Sequence, residues 1–313
     1  MKATSLPDLT VRIAMPDLRS WLGGTNLPGV MSFTASAPGP HVALVALMHG
    51  NEIAGAIVLD GLLRQQLRPV RGRLSFVFAN LLAASRFDPT DPTASRFVEE
   101  DLNRVWAIEA LEGPRRSAEL RRARELRPFF DTVDTLLDLH SMLWPSDPLL
   151  LCGQTDRALR LALAIAAPPL VVADQGHAAG RRLMDYGRFG AATGDATALL
   201  VEGGAHWQAS TVESLATTAD RFLGLSGVLD RAPPAPAPAV RQARVTMTVT
   251  ARTDDFAFLQ PVRGGDVVPR RNTLLALDGD EEIRTPYDHC LLVMPSPRAR
   301  AGQTAVRLAR LEV

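Results

Sequence analysis

The hydrophobic pattern along the chain alternates between two periods. Residues 41–48 (HVALVALM) form a nearly continuous apolar run, as in a strand buried on both faces. Residues 54–67 follow with Ile57, Val58, Leu62 and Leu63 at helical spacing. Residues 73–79 (RLSFVFA) and 133–139 (VDTLLDL) read as further strands, and 148–151, 169–173 and 198–201 as shorter ones. Residues 115–129, 156–166 and 210–228 read as helices. Strands alternating with helices predict an α/β fold with a mainly parallel sheet. Between 81 and 104 no period holds, and Pro89, Pro92 and several Asp interrupt the stretch. A loop of that length in a compact domain is more often functional than idle.

The pattern changes again at 230–239 (DRAPPAPAPA), where Pro233, Pro234, Pro236 and Pro238 exclude helix and sheet interior and predict a stiff, extended linker. Beyond it, Val245, Met247 and Val249 alternate with polar residues, and Gly264–Gly265, Asp278–Gly279 and Pro286 punctuate the remainder. The expected organisation is a catalytic-sized α/β domain over 1–229, the linker over 230–239 and a small all-β domain over 240–313. The chain has no internal repeat.

Composition narrows the classes of function. With 313 residues, 46% hydrophobic and 22% charged, the chain is globular rather than disordered. Basic and acidic residues balance, 34 against 34, so no global field favours nucleic acid or an anionic membrane. Lys2 is the only lysine, so nearly all positive charge is guanidinium, a group suited to gripping carboxylates through two parallel hydrogen bonds. Cys152 and Cys290 are too few for a disulfide framework or a Cys-based zinc site and read as small buried hydrophobes. Pro7 and Asp8 fall where a signal peptide would need an apolar core, and the longest uncharged apolar run, 161–173, is broken by Pro168 and Pro169. A soluble, cytoplasmic protein is the expectation.

In an open parallel sheet, ligands bind at the carboxyl ends of strands. Four polar segments are predicted there. His49-Gly50-Asn51-Glu52 follows the first strand, and its His and Glu can converge on one metal ion. Asp138-Leu139-His140 closes another strand, with Asp138 on the side of His140, placed to orient it. Glu202 ends a buried apolar strand before two glycines, where burial can raise its pKa toward that of a working base. Ser95-Arg96 and Asp101-Leu102-Asn103-Arg104 put two guanidiniums and an amide in the long loop, suited to a carboxylate and an oxyanion. Taken singly, each has a plainer reading: a surface His beside a helix N-terminus, a hydrogen-bonded His, an Arg-paired carboxylate, a solvated loop. Taken together they form a set, and two His plus one Glu (His49, Glu52, His140) is the ligand set of a catalytic zinc site with an open position. Two imidazoles also argue against Ca²⁺ or Mg²⁺.

These motifs, HGNE at 49–52, SR at 95–96, DLNR at 101–104, DLH at 138–140 and VEGG at 201–204, resemble the succinylglutamate desuccinylase/aspartoacylase family of the zinc carboxypeptidase superfamily in order and spacing. The resemblance covers roughly residues 41–204 and, less specifically, the trailing β region. It implies a carboxypeptidase-like α/β/α core with a mixed, mainly parallel sheet. It also implies one Zn²⁺ per chain on His49, Glu52 and His140, Arg96 polarising the scissile carbonyl, Asn103 and Arg104 holding a substrate carboxylate, and Glu202 as general base. The implied reaction is hydrolysis of the amide bond of a small N-acyl amino acid or related carboxylate. Aspartoacylases carry a further substrate-contacting arginine about ten residues before the base. Ala192 stands there in this chain and Arg188 lies nearby at a different spacing, which argues against N-acetylaspartate as substrate. The resemblance further implies that Tyr287 of the β region reaches over the pocket.

The rival readings are a zinc carboxypeptidase or small-peptide hydrolase and, on the same fold, a catalytically silent binding protein. Expected partners are a small-molecule substrate, no nucleic acid and no membrane, with homo-oligomerisation open. His41 reads as structural, and His177 and His289 as loop residues. His206, Trp144 and Trp207 follow the presumed active-site strands, as pocket lining or as packing.

Overall fold

Apolar runs buried on both faces become the middle strands of one large sheet. The computed structural model describes residues 7–176, 179–232, 234–235 and 239–312; His177 and the linker prolines Pro233, Pro236 and Pro238 lie outside them. The chain runs β1 (Val30–Thr34), β2 (His41–Ala46), α1 (Ile53–Arg64), β3 (Arg73–Phe78), α2 (Leu81–Ala84), α3 (Ile108–Glu112), α4 (Ala118–Phe130), β4 (Thr135–Met142) and β5 (Leu149–Cys152). It continues α5 (Asp156–Ile165), β6 (Leu170–Ala173), α6 (Gly187–Gly190), β7 (Thr197–Ala205), α7 (Ala209–Ser226) and β8 (Arg241–Thr250). The remaining strands are β9 (Phe256–Phe258), β10 (Val267–Val268), β11 (Leu274–Asp278), β12 (Glu281–Arg284), β13 (Cys290–Val293) and β14 (Thr304–Glu312).

The main sheet has the order β1-β3-β2-β4-β7-β5-β6-β8-β14-β13-β10. Strands β3, β2, β4 and β7 are mutually parallel, whereas β5 is antiparallel to β7. This is the expected mixed, mainly parallel α/β core. Alternation along each strand feeds two layers. Leu137, Leu139, Leu199 and Val201 pack on the face covered by α1, α5 and α7. Leu136, Ala198 and Leu200 pack on the opposite face with Trp106 and with Leu120, Leu126 and Phe130 of α4. Beyond residue 240 the described chain contributes only strands. β8 pairs in parallel with β6, so β8, β14, β13 and β10 continue the main sheet and cover what would be an exposed edge. β12, β11 and β9 form a separate antiparallel sheet.

Two strands run past their expected ends. β4 continues to Met142 and β7 to Ala205, so His140 and Glu202 sit within paired strands instead of beyond them. The long polar segment after β3 is largely irregular, and its order has a tertiary source. Glu119 of α4 is fully buried, and its carboxylate accepts the backbone N–H groups of Val98, Glu99 and Glu100 at 2.7, 3.1 and 3.3 Å. It also accepts Asn80 Nδ2 at 3.1 Å.

Candidate metal and acyl-binding site

Parallel neighbours bring their carboxyl ends together, and β2, β4 and β7 are adjacent in the sheet. His140 and Glu202 are direct cross-strand partners, and His49 lies three residues beyond the end of β2. Asp138, His140 and Glu202 share the face of Leu136 and Leu200, the face over which the 95–104 loop folds. Gly50 permits the loop's approach. A Cβ there would lie 2.4–2.5 Å from backbone atoms of Ala83, Ala84 and Ser95, and Gly50 N–H donates to Arg96 O at 3.0 Å.

Glu52 lies between the two imidazoles. Its Oε1 is 2.7 Å from His49 Nδ1, and its Oε2 is 3.0 Å from His140 Nδ1. One donor atom from each of the three residues can be chosen so that all lie within 4.8 Å of one another, and all three residues are buried. Of the outer nitrogens, His49 Nε2 is hydrogen-bonded to Asp101 Oδ1 at 2.9 Å, whereas His140 Nε2 lies 2.9 Å from Asp138 Oδ2 as a close charge contact without hydrogen-bond alignment. Both nitrogens of His140 therefore face carboxylates, yet a neutral imidazole has one N–H. Either the ring is a buried cation or a cation takes the place of the inner proton. The charges favour a cation here: burial opposes the imidazolium, but Asp138 and Glu52 outweigh it and hold the His140 pKa well above its ordinary value. Glu52 is held well below the carboxylate range, because His49 and His140 outweigh its burial. The donor set, two imidazole Nδ1 atoms and a carboxylate backed by two further carboxylates, fits a zinc-type metal ion.

Glu202 is buried, and its Oε2 has no hydrogen-bond partner among the described residues. Burial pushes its carboxyl up to about 8, and His140 and Arg96 only partly offset this. Arg96 is the more open guanidinium, with its side chain 37% exposed. It reaches Glu52 Oε1 at 3.1 Å, His49 Nε2 at 3.0 Å and Asp101 Oδ2 at 3.4 Å. Asn103 Oδ1 accepts the buried N–H of Leu183 at 2.9 Å, which turns its amide NH₂ the other way. Arg104 approaches Asp101 at 3.9 Å. Its guanidinium is lowered to about 10 by burial, with Arg96, Arg307 and Arg182 adding to the effect and Asp101 opposing it. It stays charged at neutral pH, in an arginine-rich surrounding suited to an anion.

The structure thus brings together His49, Glu52, His140, Glu202, Arg96, Asn103 and Arg104. Tyr287 contacts the C-terminal strands: its hydroxyl shares a 2.8 Å hydrogen bond with Thr246, and Arg310 lies 4.4 Å over its ring. No described contact joins it to the other candidates. Arg188 bonds Asp134 at 2.9 Å, just before β4 begins and so at the opposite end of that strand from His140. His41 is structural, with Nε2 on Ser75 Oγ at 2.9 Å, and His289 is exposed. Sequence reasoning assigned no role to Asp101, although the residue stands in the DLNR motif; its link to His49 is made across 52 positions. Arg182 and Arg307 carried no local signal at all. Both converge on fully buried Asp174, at 2.6 and 3.3 Å, and Arg307 arrives from β14.

A mixed sheet with a buried His/Glu/His cluster at its carboxyl edge defines a candidate metallohydrolase. Residues 38–224 match the succinylglutamate desuccinylase/aspartoacylase catalytic domain, and the chain belongs to that family, a family of deacylases. Solved structures share the fold at low identity. Succinylglutamate desuccinylase from Vibrio parahaemolyticus is 19% identical, with 91% of this chain and 86% of that one covered and a TM-score of 0.70. A succinylglutamate desuccinylase/aspartoacylase from Rhodobacter sphaeroides is 20% identical (91% and 89% covered, TM-score 0.64). The product-bound ectoine utilization protein EutE (DoeB) from Ruegeria pomeroyi is 17% identical (90% and 88% covered, TM-score 0.62). No curated protein matches the sequence. No helix among the described residues is long and apolar enough to cross a membrane.

Proposed function

We propose that the chain is a zinc-dependent amidohydrolase that removes the acyl group from a small N-acyl amino acid or related carboxylate. The observation that carries this reading is the convergence of His49, Glu52 and His140 with Glu202, the direct strand neighbour of His140. The three buried donors would hold the metal. When bound, zinc supplies Lewis acidity toward an amide carbonyl and toward water. Glu202 accepts the proton of the attacking water at its carboxylate and returns it to the leaving amine. Its burial keeps its proton affinity near that of a working base. Arg96 faces the acyl oxygen and stabilises negative charge developing there. Asn103, through the amide NH₂ left free by Leu183, and Arg104 hold the substrate carboxylate. Residues 1–229 form the catalytic unit in this reading, and the strands beyond 240 flank it through β8.

The test is a hydrolysis panel of N-acetyl, N-succinyl and N-formyl amino acids with zinc-loaded protein, alongside an extended peptide carrying the same scissile amide. Turnover of one or more small amides well above the peptide is expected. Equal kcat/KM for both would favour a peptidase, and no turnover of any member would sink the hydrolase reading.

The two arginines should separate kinetically. A carboxylate is present throughout the reaction, whereas the oxyanion exists only near the barrier. Uniform binding appears in KM and transition-state binding in kcat. Arg104→Ala should chiefly raise KM, and Arg96→Ala should chiefly lower kcat. The reverse pattern would exchange their roles.

A further inference from the structure

Directly after Glu202, β7 carries one residue more than its partner. His140 and Met142 of β4 pair with Glu202 and Ala205, so three steps on β7 face two on β4. Gly204 absorbs the bulge at φ +138°, a conformation closed to side-chain-bearing residues. Without the extra residue, alternation would return His206 to the face of Glu202. With it, His206 falls on the face of Ser141, toward α1 and α7. There its Nδ1 shares a 2.7 Å hydrogen bond with Ser141 Oγ, and its backbone N–H donates to Met142 O at 2.8 Å. Ser141 N–H in turn donates to Glu52 Oε2 at 3.1 Å.

The next residue makes the second tie. Trp207 is 1% exposed and takes φ +60°, a strained backbone for a bulky side chain. Its Nε1–H donates to Asn51 O at 2.9 Å, and Asn51 sits between His49 and Glu52. The two rings pack at 5.0 Å. One dipeptide therefore holds the segment bearing His140 and the segment bearing His49 and Glu52, and it is anchored to the strand that bears Glu202.

We infer that His206–Trp207 is a positioning element that sets the spacing of the metal-ligand triad relative to the base. The inference rests on the reading of His49, Glu52 and His140 as zinc ligands. Partners one shell outside a metal's ligands typically change its affinity 10–100-fold when removed, and these two residues act through the backbone beside the ligands, so the low end applies.

The experiment uses the full chain with Zn²⁺ and, separately, Co²⁺. Trp207→Phe keeps a buried ring and removes only the indole N–H. His206→Leu removes the partner of Ser141, and His206→Asn returns a polar group near the Nδ1 position. Zinc affinity is read by competition with a chelator, ligand geometry by the visible absorption of the Co²⁺ form, and stability by unfolding of the metal-free protein. Trp207→Phe and His206→Leu should each weaken zinc about tenfold and alter the Co²⁺ spectrum, and His206→Asn should recover most of the His206→Leu loss. Affinity and spectrum unchanged in Trp207→Phe and His206→Leu, with stability alone affected, would leave the dipeptide a packing element and overturn the inference. Should His206→Leu fail to fold, Trp207→Phe, which keeps the buried ring and removes only the N–H bonded to Asn51 O, still decides it. A wild type that binds no zinc overturns the ligand assignment, and the positioning role falls with it.

Discussion

Glu202→Gln should retain zinc and lose about 10²–10⁴-fold in kcat, the usual worth of general acid–base catalysis and equivalent to about 3–5 kcal/mol of barrier. The substitution is nearly isosteric, which matters in a site where Glu202 is 6% exposed and Oε2 has no hydrogen-bond partner among the described residues. The amide cannot accept a proton, so the chemical step fails while packing and metal ligation persist. Zinc content and single-turnover rates measured on the same preparation check this. Near-normal kcat with zinc bound would remove Glu202 from the mechanism.

His140→Ala should abolish stoichiometric zinc binding and activity together. The change removes one of three ligands and also strips the neighbour from two buried carboxylates: Asp138, fully buried, and Glu52 Oε2. Breaking a buried charged pair costs about 3–5 kcal/mol, so the variant should also be less stable than the metal-free wild type. A linkage measurement separates the two effects. Zinc at 100 times its Kd should stabilise the wild type by about 2.7 kcal/mol, and the same concentration should leave the variant's unfolding midpoint unmoved. Retention of one metal per chain by the variant would contradict the ligand assignment.

The core strands and the chemistry at their ends were legible because burial on both faces writes a local signature. HVALVA becomes β2, with Leu47 and Met48 of the apolar run lying beyond it, RLSFVF becomes β3, and the polar residues that follow β2, or lie near the carboxyl ends of β4 and β7, are the ones that converge. The order of the β-strands could not be read this way. β5 is antiparallel to β7, and β8 joins β6 to carry the sheet into the C-terminal strands. Strand pairing depends on distant backbone partners, which leave no periodic mark.

The same limit applies around the site. Arg188 stands at a different spacing from the family's substrate arginine, and its ion pair with Asp134 holds it at the far end of β4. Tyr287 had a polar ring in a loop, but Thr246 and Arg310 keep it within the C-terminal strands. Glu119, which orders the arginine-bearing loop through three consecutive backbone N–H groups, read only as one acid in a charged helix.

The sequence by itself determined the α/β class, the four polar motifs and the chemical types they bring, because residue identity and short-range period are local properties. Only the tertiary structure decided that Asp101 backs His49 and that Asn103 spends its oxygen on Leu183. It also decided that an extra residue in β7 turns His206 and Trp207 toward the ligand-bearing segments. Those outcomes follow from hydrogen-bond saturation of buried groups by partners tens of residues away, and a buried polar atom takes whichever partner the packed strands and loops present.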